Sequence, residues 1–175
     1  MQTSQAKDNQ TYVHKLSTPG AKLLEINREF QAPVERLFEA FANAESLKKW
    51  WWPHGMYADH IELDFRNGGK YFFNMKGNEQ SAAGMAGHFE EIIKNKRIVM
   101  TDHFADTHGH PISAKEAKMP GDWPEMAYIT FEFESINRNT SRFKLSQQGI
   151  PNEFHKDCLQ GWSESFEKLE KFLGH

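Results

Sequence analysis

The sequence predicts an α+β fold in which one strand and two short helices are followed by about six antiparallel strands and a long C-terminal helix. Three patterns carry that expectation. Apolar and polar residues alternate along segments from Ile61 to Leu145, with turn residues between them. Val34, Leu37, Phe38 and Phe41 recur at helical spacing near the start. Leu159, Trp162, Phe166, Leu169 and Leu173 fall three and four apart at the end, an apolar stripe over about four turns.

The elements follow in chain order. Residues 1–22 are polar, end at Pro19-Gly20 and Lys22, and are expected to form a mobile extension, leaving 23–175 as a single domain. LLEINREF sets Leu24, Ile26, Arg28 and Phe30 on one side of a strand, with Arg28 the charged exception. Pro33 suits the first turn of the helix that follows, and Asn43 suits the cap of a second, from Ala44 to Trp51. HIELDF and KYFFNMK flank Arg66-Asn67-Gly68-Gly69, a strong hairpin signal. GMAGHFEEII and RIVMTDHF pair across Lys94-Asn95-Lys96, and EMAYITFEFES and TSRFKLSQQ across Asn137-Arg138-Asn139. The alternation makes one face of this sheet apolar and the other, with Lys70, Asn74, Thr130, Glu132, Glu134, Arg142 and Lys144, wet. The connection from Ala105 to Glu125 is long for a turn and is expected to be a functional rim or a flap.

Composition narrows the function classes. A net charge of −3 offers no broad attraction for nucleic acid or an anionic membrane. The single cysteine, Cys158, excludes an intrachain disulfide and a multi-cysteine metal cage, and reads as a small residue beside the helix stripe. No apolar run reaches membrane-spanning length and MQTSQAKDNQ has no signal-peptide pattern, so a cytoplasmic protein is expected.

Three consecutive tryptophans, Trp50, Trp51 and Trp52, stand before Pro53. Adjacent helix positions are turned about 100° apart, so the three rings cannot share one core, and the proline ends the helix here. Together with REFQAPVERLFEAF, LDFRNGGKYFF, GHFEEI, MTDHFADTHGHP and GWSESFEKLEKFL, the segment WWWPHG makes the chain resemble the family of the activator of Hsp90 ATPase, within the START/Bet v 1-like superfamily. The resemblance implies a helix-grip fold, a curved antiparallel sheet wrapped around the C-terminal helix with a cavity between them. It leaves open a homodimer, a chaperone partner and a place in the stress response. It also leaves open a cyclase- or dehydratase-like enzyme.

Within that fold Trp51 and Trp52 either wall the cavity or only pack. The alternation directs Tyr71, Phe73, Met75, Met100 and Phe104 toward the space between sheet and helix, with Ile129, Phe131, Phe143, Trp162 and Phe166. Met75, Met85 and Met100 would let a pocket adapt to irregular ligands. Arg28 and Asp102 are charges on the apolar side, serving either to orient a ligand's polar group or as a satisfied polar pair, with each other, Glu91 or Tyr71 as partners. The expected ligand is a small, largely apolar or aromatic molecule bound without cofactor or metal. In the enzyme alternative Asp102, Glu91, His103 or Tyr71 would act as acid or base. His103, His108 and His110 lie near Asp102 and Asp106, yet match no standard zinc spacing and read as a solvated loop.

Overall fold

The computed structural model describes residues 22–77 and 83–174. The expected N-terminal extension lies outside the described residues except for Lys22, whose backbone N–H donates to Asn152 Oδ1 at 3.4 Å. Strand β1 (Leu24–Phe30) buries Leu24 and Phe30 on one side. Helix α1 (Val34–Glu39) follows, with Pro33 just outside it as the capping residue; the Pro33 carbonyl accepts from the N–H groups of Arg36 and Leu37. Helix α2 (Ala44–Trp50) is capped by Asn43, whose Oδ1 accepts from the Ser46 N–H at 2.8 Å, satisfying one of the donors that a helix start leaves free.

Eight strands make the main sheet: β1, β3 (Ile61–Leu63), β4 (Lys70–Asn74), β6 (Gly84–Ile93), β7 (Arg97–Ala105), β8 (Pro111–Ile112), β9 (Ala127–Asn137) and β10 (Thr140–Gln147). Their order is β1-β10-β9-β7-β6-β4-β3, all antiparallel, with β8 beside the end of β7. The short strands β2 (Met56–Tyr57) and β5 (Lys76–Gly77) pair separately. The hairpin between β3 and β4 depends on its glycines. Gly68 has φ +80°, and a Cβ on Gly69 would lie 1.9 Å from the Asp64 carbonyl oxygen.

The long helix α3 (His155–Leu173), preceded by a single 3₁₀ turn at Asn152–Phe154, lies against this curved sheet, a helix-grip arrangement. At 19 residues it is about 28 Å long. Phe166, at its middle, is fully buried; its ring meets Phe143 edge-on at 5.1 Å and Phe30 at 6.1 Å. Phe41, Trp50, Phe131 and Phe133 extend this cluster toward α1 and α2. No helix among the described residues is long and apolar enough to cross a membrane.

Two expectations are corrected. Leu159 does not begin the inward stripe of α3: it is 39% exposed, and Cys158 takes the inner position. Residues 158 and 159 are four and three positions before Trp162, both compatible with one helix face, so spacing alone does not separate them. The outer face of the sheet is also not uniformly wet. Glu134 and Arg142 pair there at 3.1 Å, as alternation suggests, but Thr130 is buried, and Val99 and Tyr128 form a small apolar cluster. Phe72, Ala86 and Ala105 form another, over which the long connection folds; a Cβ on Gly109 would lie 2.9 Å from the Phe72 ring.

This packing makes two positions on α3 respond oppositely. Phe166→Ala is expected to lower unfolding free energy by about 3–5 kcal/mol in urea titrations. Leu159→Ser should change it by no more than about 0.5 kcal/mol. Comparable losses at both positions would contradict the observed rotation of the helix.

Candidate functional site

A cavity of about 420 Å³ lies between the N-terminal half of α3 and the sheet. The helix side supplies Phe154, Asp157, Cys158, Gly161, Trp162 and Ser165. The sheet side supplies Met75, Gly84, Met85, Asp102, Phe104, Ile129 and Gln147. Trp51, Trp52, Pro53 and Met56 close one end, and Met119 and Trp123 reach in from the long connection.

Of the three adjacent tryptophans, Trp50 and Trp51 enter the core together, their rings 5.1 Å apart, and Trp52 is turned to β4. Trp50, the last residue of α2, is fully buried and donates its indole N–H to the Ala40 carbonyl at 3.0 Å. Trp51 forms the back wall, its ring edge-on to Phe73 at 5.0 Å and to Trp162 at 5.4 Å. Trp52 adopts φ +79°, a left-handed conformation that is strained for a bulky residue. Its ring thereby reaches β4, where Nε1–H donates to the Asn74 carbonyl at 2.7 Å. Lys168 ties the same lip to α3, donating to the carbonyls of Pro53 at 3.4 Å and Met56 at 3.1 Å.

The other indoles are also anchored. Trp162 donates to Gln147 Oε1 at 2.8 Å and stacks on Phe166 at 5.5 Å. Trp123 donates to the Pro120 carbonyl at 2.8 Å and packs between Phe104 and Phe154. The N–H groups of Trp52, Trp123 and Trp162 are thus used within the protein, and these rings border the cavity with apolar surface.

Among the residues expected at a ligand site, Trp51, Trp52, Met75, Asp102, Phe104, Ile129 and Trp162 line the cavity. Tyr71, Phe73, Met100, Phe131, Phe143 and Phe166 lie behind the wall in the core. Arg28 is remote from it: its guanidinium pairs with Glu170 of α3 at 2.7 Å and stands over the Phe30 ring, so its partner is none of the groups expected. Met119, Trp123 and Phe154 were not foreseen. The one signal for them was the presence of large apolar side chains in and beside a Gly- and Pro-rich loop, where no periodicity says which way they point.

Asp102 is the polar group this wall leaves without a match. Its carboxylate has no hydrogen-bond partner among the described residues and faces an apolar surface. Desolvation pushes its pKa up from 3.8 to about 7. Nearby, burial and then the Asp157 and Asp102 charges push the Cys158 thiol to about 11, so it is a protonated wall residue and not a nucleophile. Tyr71 is raised well above its usual range by burial and then by Asp102, and its hydroxyl donates to the Thr101 carbonyl. Glu91 sits 3.7 Å from Arg97 and, like His103, is not on the lining. Asp106 accepts from the backbone N–H groups of His108 and His110 at 2.8 and 2.9 Å, which makes these residues a compact turn. Among the described residues no group of three or more His, Cys, Asp or Glu side chains could hold a metal ion.

The raised Asp102 pKa fixes a sign for pH-dependent stability. The folded protein holds this proton more tightly than the unfolded chain, where Asp titrates near 3.8. Its contribution is therefore full below about pH 4 and is lost as pH rises through about 7. Asp102→Asn should exceed wild type in unfolding free energy by about 1–3 kcal/mol near pH 8 and match it near pH 4, as measured by urea denaturation. Equal stability at both values would mean that the carboxylate is solvated in the folded state.

Comparisons with known proteins agree with this architecture. A Chromobacterium violaceum crystal structure shares 24% identity, covering 86% of this chain and 96% of that one, with a TM-score of 0.69. The AHSA1 protein of Silicibacter pomeroyi shares 21%, covering 87% and 98%, at 0.68. The Aha1 dimer of Colwellia psychrerythraea, a solution structure, shares 16%, covering 87% and 96%, at 0.62. At these identities the neighbours establish the fold. No sequence among curated proteins matches the chain. The family model described as activator of Hsp90 ATPase homolog 1-like protein matches residues 31–174, which takes in the tryptophan segment, every strand after β1 and all of α3, and the chain therefore belongs to that family.

Proposed function

We propose that the protein binds a small, largely apolar or aromatic molecule in the cavity between sheet and α3. The observation that carries this reading is the cavity itself: about 420 Å³ bordered by anchored indoles and by Met56, Met75, Met85 and Met119. That volume lies within the usual range for small-molecule sites. Fixed aromatic faces supply shape, and unbranched methionines adjust to it. A chaperone-directed role would use an exposed surface and leave the cavity idle, so the cavity favours ligand binding over it.

A ligand at about 100 times its Kd should stabilise the fold by about 2.7 kcal/mol, or about 5–11 °C in Tm for a domain of this size. A panel of aromatic and polycyclic compounds screened by thermal shift provides the test. Cys158→Phe, which projects a ring into the cavity, should abolish the shift while the protein stays folded. Leu159→Ser, one position along the same helix and facing solvent, should leave it intact. Loss of the shift in the Leu159 variant alone would place binding on the exposed face of α3.

One observation favours a second reading. A carboxyl group titrating near neutrality on a cavity wall is suited to proton transfer, so Asp102 is the residue that would act as acid or base in an enzyme of the cyclase or dehydratase kind. Incubation with a metabolite extract from the source cells, followed by mass spectrometry, separates the two readings. Catalysis requires a compound to be consumed by wild type and spared by Asp102→Asn, whereas binding alone leaves the extract's composition unchanged.

A further inference from the structure

We infer that the cavity selects lipophilic cations, protonated amines carried on an aromatic or other apolar body, over neutral compounds of the same shape and over carboxylates. This deepens the ligand-binding reading and rests on it. The argument begins with the sign of the wall. Among the described residues that line the cavity there is no lysine, arginine or histidine, while Asp102 and, at the exposed edge, Asp157 are both acidic. Lys168, the cation close to the lip, is turned to the Pro53 and Met56 carbonyls. Arg28 is engaged by Glu170.

The geometry adds what a cation needs. Asp102 projects from β7 next to Phe104 and lacks a hydrogen-bond partner among the described residues, so both carboxylate oxygens are available to an incoming donor. A charge left unmatched in an apolar site is costly, and an ammonium group that hydrogen-bonds to it removes that cost. The aromatic wall acts in the same direction. Indole rings attract cations, and Trp51, Trp52, Trp123 and Trp162 all border the cavity. A carboxylate ligand would meet two negative charges and no compensating cation.

The groups that face Asp102 define the pH response. Tyr71 from β4 and Cys158 from α3 both stay protonated through neutrality, and Asp157 lies beside Cys158. Met85 from β6, Ala127 and Ile129 from β9 and Trp123 from the connection carry no charge. Ionisation of Asp102 near pH 7 is then the event that switches on preference for a cation.

The test uses the full chain and three probes that share one ring system, 2-naphthylmethylamine, 2-naphthylmethanol and 2-naphthoate, titrated by calorimetry. Near pH 8 the amine should bind at least about tenfold more tightly than the alcohol, the increment of a hydrogen bond to a charged group, and the naphthoate more weakly than the alcohol. Near pH 5.5 the amine's advantage should shrink toward unity as Asp102 takes up its proton. Asp102→Asn should remove the amine's advantage over the alcohol at both pH values. Since the wild-type pH series needs no variant, it decides the matter even if the substitution perturbs folding. An alcohol that binds as well as the amine near pH 8, a naphthoate that binds best, or an amine preference that survives in folded Asp102→Asn would overturn this inference and leave ligand binding standing. Failure of all three probes to bind, with the panel above also silent, would remove the ligand-binding reading and this inference with it.

Discussion

The structure depends on an uneven contact between α3 and the sheet. From Ser165 to Leu173 the helix is packed down: Phe166 is enclosed by Phe30, Phe143 and Trp50, and Leu169 and Leu173 are buried behind it. Before Trp162 the positions on the cavity lining include Cys158 and Gly161, which bring little side-chain volume to the space under the helix. The tightly packed end holds the helix in place, and the small residues at the other end leave a gap. A cavity under one half of the helix follows from that difference in side-chain volume, provided something else keeps the gap from collapsing.

That support comes from the segment after α2. Trp51 braces Trp162 and Phe73, and the strained turn at Trp52 carries the chain across to β4, where an indole hydrogen bond fixes it. Lys168 then fastens the same lip to the helix. Across the opening, Trp123 is braced by Phe104 and Phe154. Trp52, Trp123 and Trp162 therefore frame the cavity with their indole N–H groups satisfied within the protein, which presents apolar surface without leaving those donors unpaired.

Much of the fold was legible in the sequence because its elements obey simple periods. Alternation in KYFFNMK and RIVMTDHF was enough to point Met75, Asp102 and Phe104 inward, and the proline after the tryptophans was enough to end α2. The site was legible only where such a period ran through it. Alternation says which side a residue faces, not how far along the strand the core stops and the cavity begins, so Phe73 and Phe131 could not be told from Met75 and Ile129. Trp123 and Met119 sit in a segment with no period. The Arg28–Glu170 pair joins β1 to the last helix, and two residues that far apart in sequence are brought together by the fold alone.

The indoles around the cavity have a consequence for how the protein can be observed. Trp51 lies 5.1 Å from Trp50 and 5.4 Å from Trp162, close enough for excitation energy to pass among them. Trp51 and Trp162, with Trp52 and Trp123, also form the cavity wall. All of the chain's tryptophans thus either border the cavity or touch one that does. Ultraviolet emission from this molecule reports on one place, and a change in the polarity of that small volume colours the signal of the whole protein.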